Sequence, residues 1–229
     1  MRGIKVCVFD AYGTLLDYGS AAADCRDALG EKFAALTTLW RDKQLQYTWL
    51  RTLERRHADF WQVTADALDF TLETLEISDR ALRDRLLNLY LRLEPFPEVH
   101  DVLRTLRAAG FKTAILSNGT STMLAAAVAH AKLDGLLDAV LSVDAVGVFK
   151  PHPDVYRLAT DRFGVAPEEV SFHSANAWDA WGASAFGLRV VWCNRYAQRA
   201  ERLPGRPEHV VTTLAELPAL LEARDHAAV

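Results

Sequence analysis

Four short stretches of the chain carry side chains able to do covalent or ionic chemistry: Asp10 with Thr14, Ser117-Asn118-Gly119, Lys150-Pro151, and Ser174-Ala-Asn176-Ala-Trp-Asp179. A carboxylate can attack an electrophilic carbon or phosphorus, and a lysine ammonium nearby holds it ionised. Hydroxyls and amides donate to developing charge, and a second carboxylate can take a proton from water. Each stretch alone is weak, because loops are polar in any protein. Their joint order along the chain is not. Other chemistries lack support: no GxxxxGK, HExxH or GxSxG occurs, which removes the signatures of nucleotide hydrolysis, zinc proteolysis and serine esterases.

The elements around these stretches place them. Ile4–Phe9 is a short valine-bearing apolar run that ends at Asp10 and Gly13, as a buried parallel strand does when it stops at a functional loop. After Pro97 the pattern alternates. Helices are expected over Val99–Ala109 (closed by Gly110), Thr122–Ala131, Asp154–Arg162 (stopped by Gly164), Trp178–Phe186 and Leu214–Leu221. Between them Lys112–Ser117, Ala139–Val143, Val170–His173, Arg189–Cys193 and His209–Thr212 read as strands. Such alternation means a doubly wound α/β domain, a mostly parallel Rossmann-like sheet covered on both faces. Chemistry in such sheets gathers at the carboxyl ends of the strands, and the four stretches fall there.

From about Ala21 to Leu91 the character differs. Leu36–Leu53 and Asp66–Leu75 have helical periodicity, Ser78 is placed to cap a further helix, and Pro95-Phe-Pro97 closes the region. An all-helical cap of residues 17–96, inserted after the first strand into a core of 1–16 and 97–229, is the expectation.

The 229 residues are 50% apolar and 24% charged, with a net charge of −4. That composition argues against a disordered chain and against a nucleic-acid binder, which would carry a basic stripe. Cys7, Cys25 and Cys193 lie far apart without a CxxC pair, so neither a zinc knuckle nor a disulfide framework is indicated. No uncharged apolar stretch reaches the roughly 18 residues of a membrane helix, and the first ten residues are too interrupted for a signal-peptide core. A cytoplasmic protein without membrane contact is expected.

The order Asp10…Thr14, Ser117-Asn118, Lys150-Pro151, Asp179 resembles the haloacid dehalogenase superfamily, from the first strand to at least Asn194. Most members of that superfamily are magnesium-dependent phosphatases, in which a second aspartate follows two positions after the nucleophile. Here that position is Tyr12, and the loop after the fourth strand offers Ser174, Asn176 and one carboxylate, Asp179. Magnesium needs several oxygen ligands in near-octahedral array, and these residues make a poor cage. A halide leaving group, in contrast, departs as an anion without a proton. Phe9-Asp-Ala-Tyr-Gly-Thr-Leu15, Leu39-Trp-Arg41, Leu116-Ser-Asn-Gly119, Phe149-Lys-Pro151, Asn176-Ala-Trp-Asp179 and Trp192-Cys-Asn-Arg195 resemble the magnesium-independent L-2-haloacid dehalogenases more closely still.

That resemblance implies a covalent ester on Asp10, no cofactor and no metal. By the same resemblance Lys150 holds Asp10 ionised, with Thr14 and Ser174 donating to it. The substrate carboxylate would sit on the main chain at Ala11 and Tyr12, on Ser117, and under the helix that follows Asn118. Arg41 would receive the halide, and Asp179 would activate water that Asn176 orients. Leu45, Phe60 and Trp178 would line an apolar pocket, with Tyr156 beside it. As isolated residues these last four read as core. The implied partners are a small halogenated carboxylic acid, halide and a second copy of the chain. Competing readings are a broader dehalogenase that also takes fluoroacetate, a phosphatase of the same superfamily, and a binding protein built on a dead enzyme. Two neighbours remain open: Asp42 could weaken halide binding if it turns inward, and His173, beside Ser174, reads as a packed strand residue rather than a base.

Overall fold

The computed structural model of the protein describes residues 1–18 and 25–222. Residues 19–24 of the expected cap and 223–229 of the expected core lie outside the described residues. One six-stranded sheet dominates: β1 (Val6–Phe9), β4 (Lys112–Ser117), β5 (Ala139–Ser142), β6 (Val170–Ser174), β7 (Arg189–Cys193) and β8 (His209–Val211), in the order β5-β4-β1-β6-β7-β8. Every pairing in it is parallel. Val-Cys-Val-Phe in β1 is buried on both faces, which explains its unbroken apolar run.

The helices that cross between strands are α4 (Val99–Ala108), α5 (Ser121–His130), α6 (Pro153–Phe163) and α7 (Ala177–Phe186), with α8 (Leu217–Glu222) last. Their ends follow local chemistry. Thr120 accepts from the Met123 N–H at the start of α5, and Gly164 takes φ +62° to close α6. After α4, Ala109 is the capping residue and Gly110 follows at φ +89°. The final helix splits into a 3-10 turn at Leu214–Glu216 and α8.

From Arg26 to Leu89 the chain is mainly helical. α1 (Phe33–Glu54), α2 (Phe60–Thr74) and α3 (Arg80–Leu89) follow a short turn at Arg26–Leu29. At 22 residues α1 is about 33 Å long. It buries Leu36, Trp40, Gln44 and Thr48, one every four residues, against α2. The α2 helix begins earlier than its periodicity predicts, because Asp59 caps it by accepting from the Gln62 N–H. Asp79, not Ser78, caps α3: its carboxylate accepts from the Leu82 N–H. The Arg83 guanidinium pairs with Asp69, tying α3 to α2.

The segments entering and leaving this helical region pair with each other. β2 (Leu16–Asp17) runs antiparallel to β3 (Glu94–Pro95), and the Phe96 N–H donates to Leu15 O at 3.0 Å. The stretch expected only to break the chain thus also contributes a strand. No helix among the described residues is long and apolar enough to cross a membrane.

Candidate active site

β1 lies between β4 and β6, from which the chain winds in opposite directions. A crevice opens at the carboxyl ends on either side of such a strand. Asp10 stands one residue beyond β1, its N–H still paired to His173 O at 2.9 Å, with Ser117 ending β4 and Ser174 ending β6. The residues at these tips meet because the register aligns Phe9 with both Ile115 and His173.

At the centre the Lys150 ammonium lies 3.0 Å from Asp10 Oδ1 and 2.8 Å from Asp179 Oδ2, all three groups being buried. A buried charge is tolerated only when paired. Burial works against the ammonium, yet the two carboxylates outweigh it and hold its pKa above the ordinary lysine value. For Asp179 burial dominates and pushes the carboxyl above the usual range; Lys150 opposes that shift and Asp10 adds to it.

The remaining oxygens are held as closely. Asp10 Oδ2 accepts from Thr14 Oγ1 at 3.1 Å and Asn176 Nδ2 at 2.8 Å. Asp179 Oδ1 accepts from Tyr156 Oη at 2.8 Å. All four carboxylate oxygens therefore carry an ammonium, hydroxyl or amide donor. That donor set does not fit a divalent cation, which would need those oxygens free. Among the described residues no three His, Cys, Asp or Glu side chains converge as a cation site.

A small, tight cavity opens on this centre, lined by Asp10, Tyr12, Arg41, Leu45, Phe60, Ser117, Asn118, Lys150, Asn176 and Trp178. A roomier hollow beside Tyr18, Trp40 and Tyr90 shares only Arg41 with it and has no carboxylate among its described lining residues. The chemistry points to the smaller one. Arg41 reaches it from α1, and its Nη2 donates to Asn176 Oδ1 at 3.0 Å. Asn176 thereby bridges Arg41 to Asp10, a contact beyond the water-orienting part expected of it.

Tyr12 lines the cavity and Ala11 precedes it in the chain, and the N–H groups of both have no acceptor among the described residues. The Ser117 hydroxyl accepts from the Gly119 N–H at 3.1 Å, which leaves its own proton to donate. Asn118 Oδ1 takes the Lys150 N–H at 2.9 Å. Gly119 is required here, because a Cβ would lie 2.9 Å from the Tyr12 ring.

Two expected site residues stand elsewhere. The Ser174 hydroxyl does not donate to Asp10; it is engaged with the main chain of Asn176, accepting from its N–H at 3.1 Å. The loop after β6 turns tightly enough to capture that hydroxyl. Tyr156 does not line the cavity; it is fully buried behind Asp179 and acts on it through the hydroxyl. Of the two doubtful neighbours, Asp42 is exposed and is not among the residues lining the cavity. His173 is fully buried and stacked on Phe9 at 4.7 Å, and burial pushes its pKa down to about 3. It packs, as expected, and cannot serve as a base from there.

Sequence reasoning assigned no part to Gln44 or Arg195. Gln44 accepts from Arg41 Nη1 at 2.7 Å. Arg195 donates to Thr14 O at 2.9 Å while pairing with Glu98 at 2.7 Å, so it steadies the loop that holds Thr14. The signal available for Gln44 was its helical offset of three from Arg41; for Arg195 it was only a place in the Trp192-Cys-Asn-Arg195 stretch, which gives no role.

Comparison with known proteins agrees with this geometry. Residues 4–187 match the family model of the haloacid dehalogenase-like hydrolases. A Burkholderia cepacia protein named (S)-2-haloacid dehalogenase 4A is 47% identical over 95% of this chain and 95% of its own length. A crystal structure described as a dehalogenase superposes with a TM-score of 0.94 at 46% identity, covering 96% of this chain and 98% of that one. The L-2-haloacid dehalogenase of Xanthobacter autotrophicus, solved with chloropropionic acid covalently bound, superposes with a TM-score of 0.88 at 42% identity, over 95% of this chain and 98% of that one. A central parallel sheet with Asp10, Lys150 and Asp179 at its strand tips, closed by Arg41 from the helical region, is what such relatives lead one to find, and the chain belongs to the haloacid dehalogenase-like hydrolases, among the (S)-2-haloacid dehalogenases.

Proposed function

We propose that this protein hydrolyses (S)-2-haloalkanoic acids to (R)-2-hydroxy acids and halide through an ester on Asp10. The observation that carries the proposal is a buried carboxylate, paired to Lys150, facing a small cavity whose other side presents the Arg41 guanidinium. In the first step an Asp10 oxygen bonds to C2 from the side opposite the halogen. The C–halogen pair leaves as halide beside Arg41, whose charge meets an anion that appears only in the transition state. Holding the reactants in line supplies about 7–11 kcal/mol of the barrier. The Ala11 and Tyr12 N–H groups and Ser117 Oγ bind the substrate carboxylate, and Leu45, Phe60 and Trp178 face its alkyl part.

In the second step water attacks Cγ of the ester and passes a proton to Asp179. Asp179 returns that proton to the departing alkoxide, the water's second proton is lost to solvent, and Asp10 is restored as a carboxylate bearing the water's oxygen. Burial raises the basicity of Asp179, as a general base requires. The covalent chloropropionic adduct of the Xanthobacter relative supports the ester. A phosphatase reaction would need a proton donor two residues after the nucleophile; Tyr12 stands there, its buried hydroxyl without a partner among the described residues and its pKa driven up by burial.

The proposal includes the division into a core (1–16, 97–229) and a helical cap (17–96), supported by the helices α1–α3 between β2 and β3. It also includes a homodimer, supported by the exposed Leu50 and Leu53 on α1, and a cytoplasmic setting, supported by the buried free thiols of Cys7 and Cys193. The test is chloride release from (S)- and (R)-2-chloropropionate in EDTA. Release from the (S) form alone is expected. No release from either, with magnesium-dependent phosphate release from a phosphoester, overturns the reading.

A further inference from the structure

Gln44 is the one strongly polar carboxamide in the buried stripe of α1, between Trp40 and Thr48, and it is wholly inaccessible. A buried amide is costly unless both its ends are paired, so an apolar side chain would serve packing better. Both ends are paired here. Gln44 Oε1 accepts from Arg41 Nη1 at 2.7 Å, and Nε2 donates to Thr64 Oγ1 at 2.7 Å.

Thr64 sets the direction of this chain of bonds. Its hydroxyl proton goes to Phe60 O at 2.6 Å, so only a lone pair is left for Gln44. The amide must then turn its N–H₂ to Thr64 and its oxygen to Arg41. Tyr90 Oη donates to the same oxygen at 3.5 Å. Arg41's other arm is held by Asn176 Oδ1 at 3.0 Å, and Asn176 in turn donates to Asp10. The guanidinium is thus fixed from two directions, one in each part of the molecule, and a planar fork fixed at two corners has its remaining edge aimed.

We propose that Gln44, oriented by Thr64, is a positioning residue that aims the Arg41 guanidinium at the departing halide. The inference rests on the dehalogenase reading above and deepens it. Gln44 does not line the cavity; it acts through Arg41. Loosening Arg41 withdraws charge from the leaving group only as the carbon–halogen bond breaks. Chloride, the poorer leaving group, depends on that charge more than bromide does.

The test is kcat/KM for (S)-2-chloropropionate and (S)-2-bromopropionate, in EDTA, for the full-length protein and its Gln44→Met and Thr64→Val variants. This parameter covers the displacement step. Gln44→Met is expected to lower the chloro value about tenfold, the loss of one charge-assisted hydrogen bond, and the bromo value by less. Its bromo-to-chloro ratio then rises about threefold, and Thr64→Val shifts the ratio the same way by a smaller factor. A purely structural part for Gln44 lowers both substrates by one common factor, and a ratio equal to wild type overturns the proposal. If thermal unfolding shows that Gln44→Met does not fold, Thr64→Val, which keeps the volume, decides by the same ratio. Wild-type protein inactive on both substrates would instead refute the dehalogenase reading itself.

Discussion

The two carboxylates of the site sit within hydrogen-bonding reach of one lysine yet differ in what surrounds them. Asp10 is at the edge of the cavity, whereas Asp179 is sealed between Lys150 and the Tyr156 hydroxyl. A donor to a carboxylate favours its charged form, so Tyr156 holds down a pKa that burial drives up. Removing the hydroxyl in Tyr156→Phe is expected to raise the Asp179 carboxyl further. Activity at neutral pH then falls about tenfold, and the acid limb of the kcat profile moves to higher pH. An unchanged acid limb contradicts the role given to Tyr156. Residue types and order in the sequence point to Asp10, Lys150 and Asp179, since each follows a strand and strand tips converge. They do not reveal where a hydroxyl rotates: Ser174 turns to its own loop and Tyr156 to the rear of Asp179, choices made by local main-chain geometry.

Among the elements, α7 packs closely on the start of α6 behind the site. Gly182 of α7 packs so closely that a Cβ there would lie 2.6 Å from Pro151 Cβ and 2.8 Å from Tyr156 Oη. Gly182→Ala is expected to cost about 1–3 kcal/mol of stability and to lower activity by displacing Tyr156, although Gly182 does not touch the cavity. Thermal unfolding and turnover measured together check this; wild-type values in both contradict it. The elements of the core were legible in the sequence within a residue or two, because buried parallel strands are short apolar runs and glycines end their helices. The helical region was less so. Capped by Asp59, α2 starts at Phe60, six residues before the Asp66 at which the periodicity begins, and Asp79 displaces Ser78 as a cap. Carboxylates and hydroxyls cap comparably well, and only the chain's path selects between neighbours.

For the whole molecule, the heaviest uncompensated polar group is the His173 imidazole in the central sheet, with neither ring nitrogen bonded among the described residues. Burial lowers its pKa from 6.5 to about 3. Between those values an unfolded chain binds a proton that the folded one refuses, so folding stability is lost as the pH falls from 6.5 toward 3, by up to about 1.4 kcal/mol per pH unit. His173→Phe, stacked on Phe9 in the same way, is expected to flatten that part of the stability curve in denaturant titrations at several pH values. Equal slopes for variant and wild type contradict the assignment.

The central claim is that Asp10 becomes an ester whose carbonyl, and not the substrate carbon, is attacked by water. A single turnover with enzyme in excess of (S)-2-chloropropionate in ¹⁸O water reads this directly. The account predicts an unlabelled hydroxyl in the lactate and ¹⁸O in the Asp10 carboxylate, located by mass spectrometry of the peptide that contains it. Labelled lactate with an unlabelled Asp10 would contradict the account and make water itself the nucleophile.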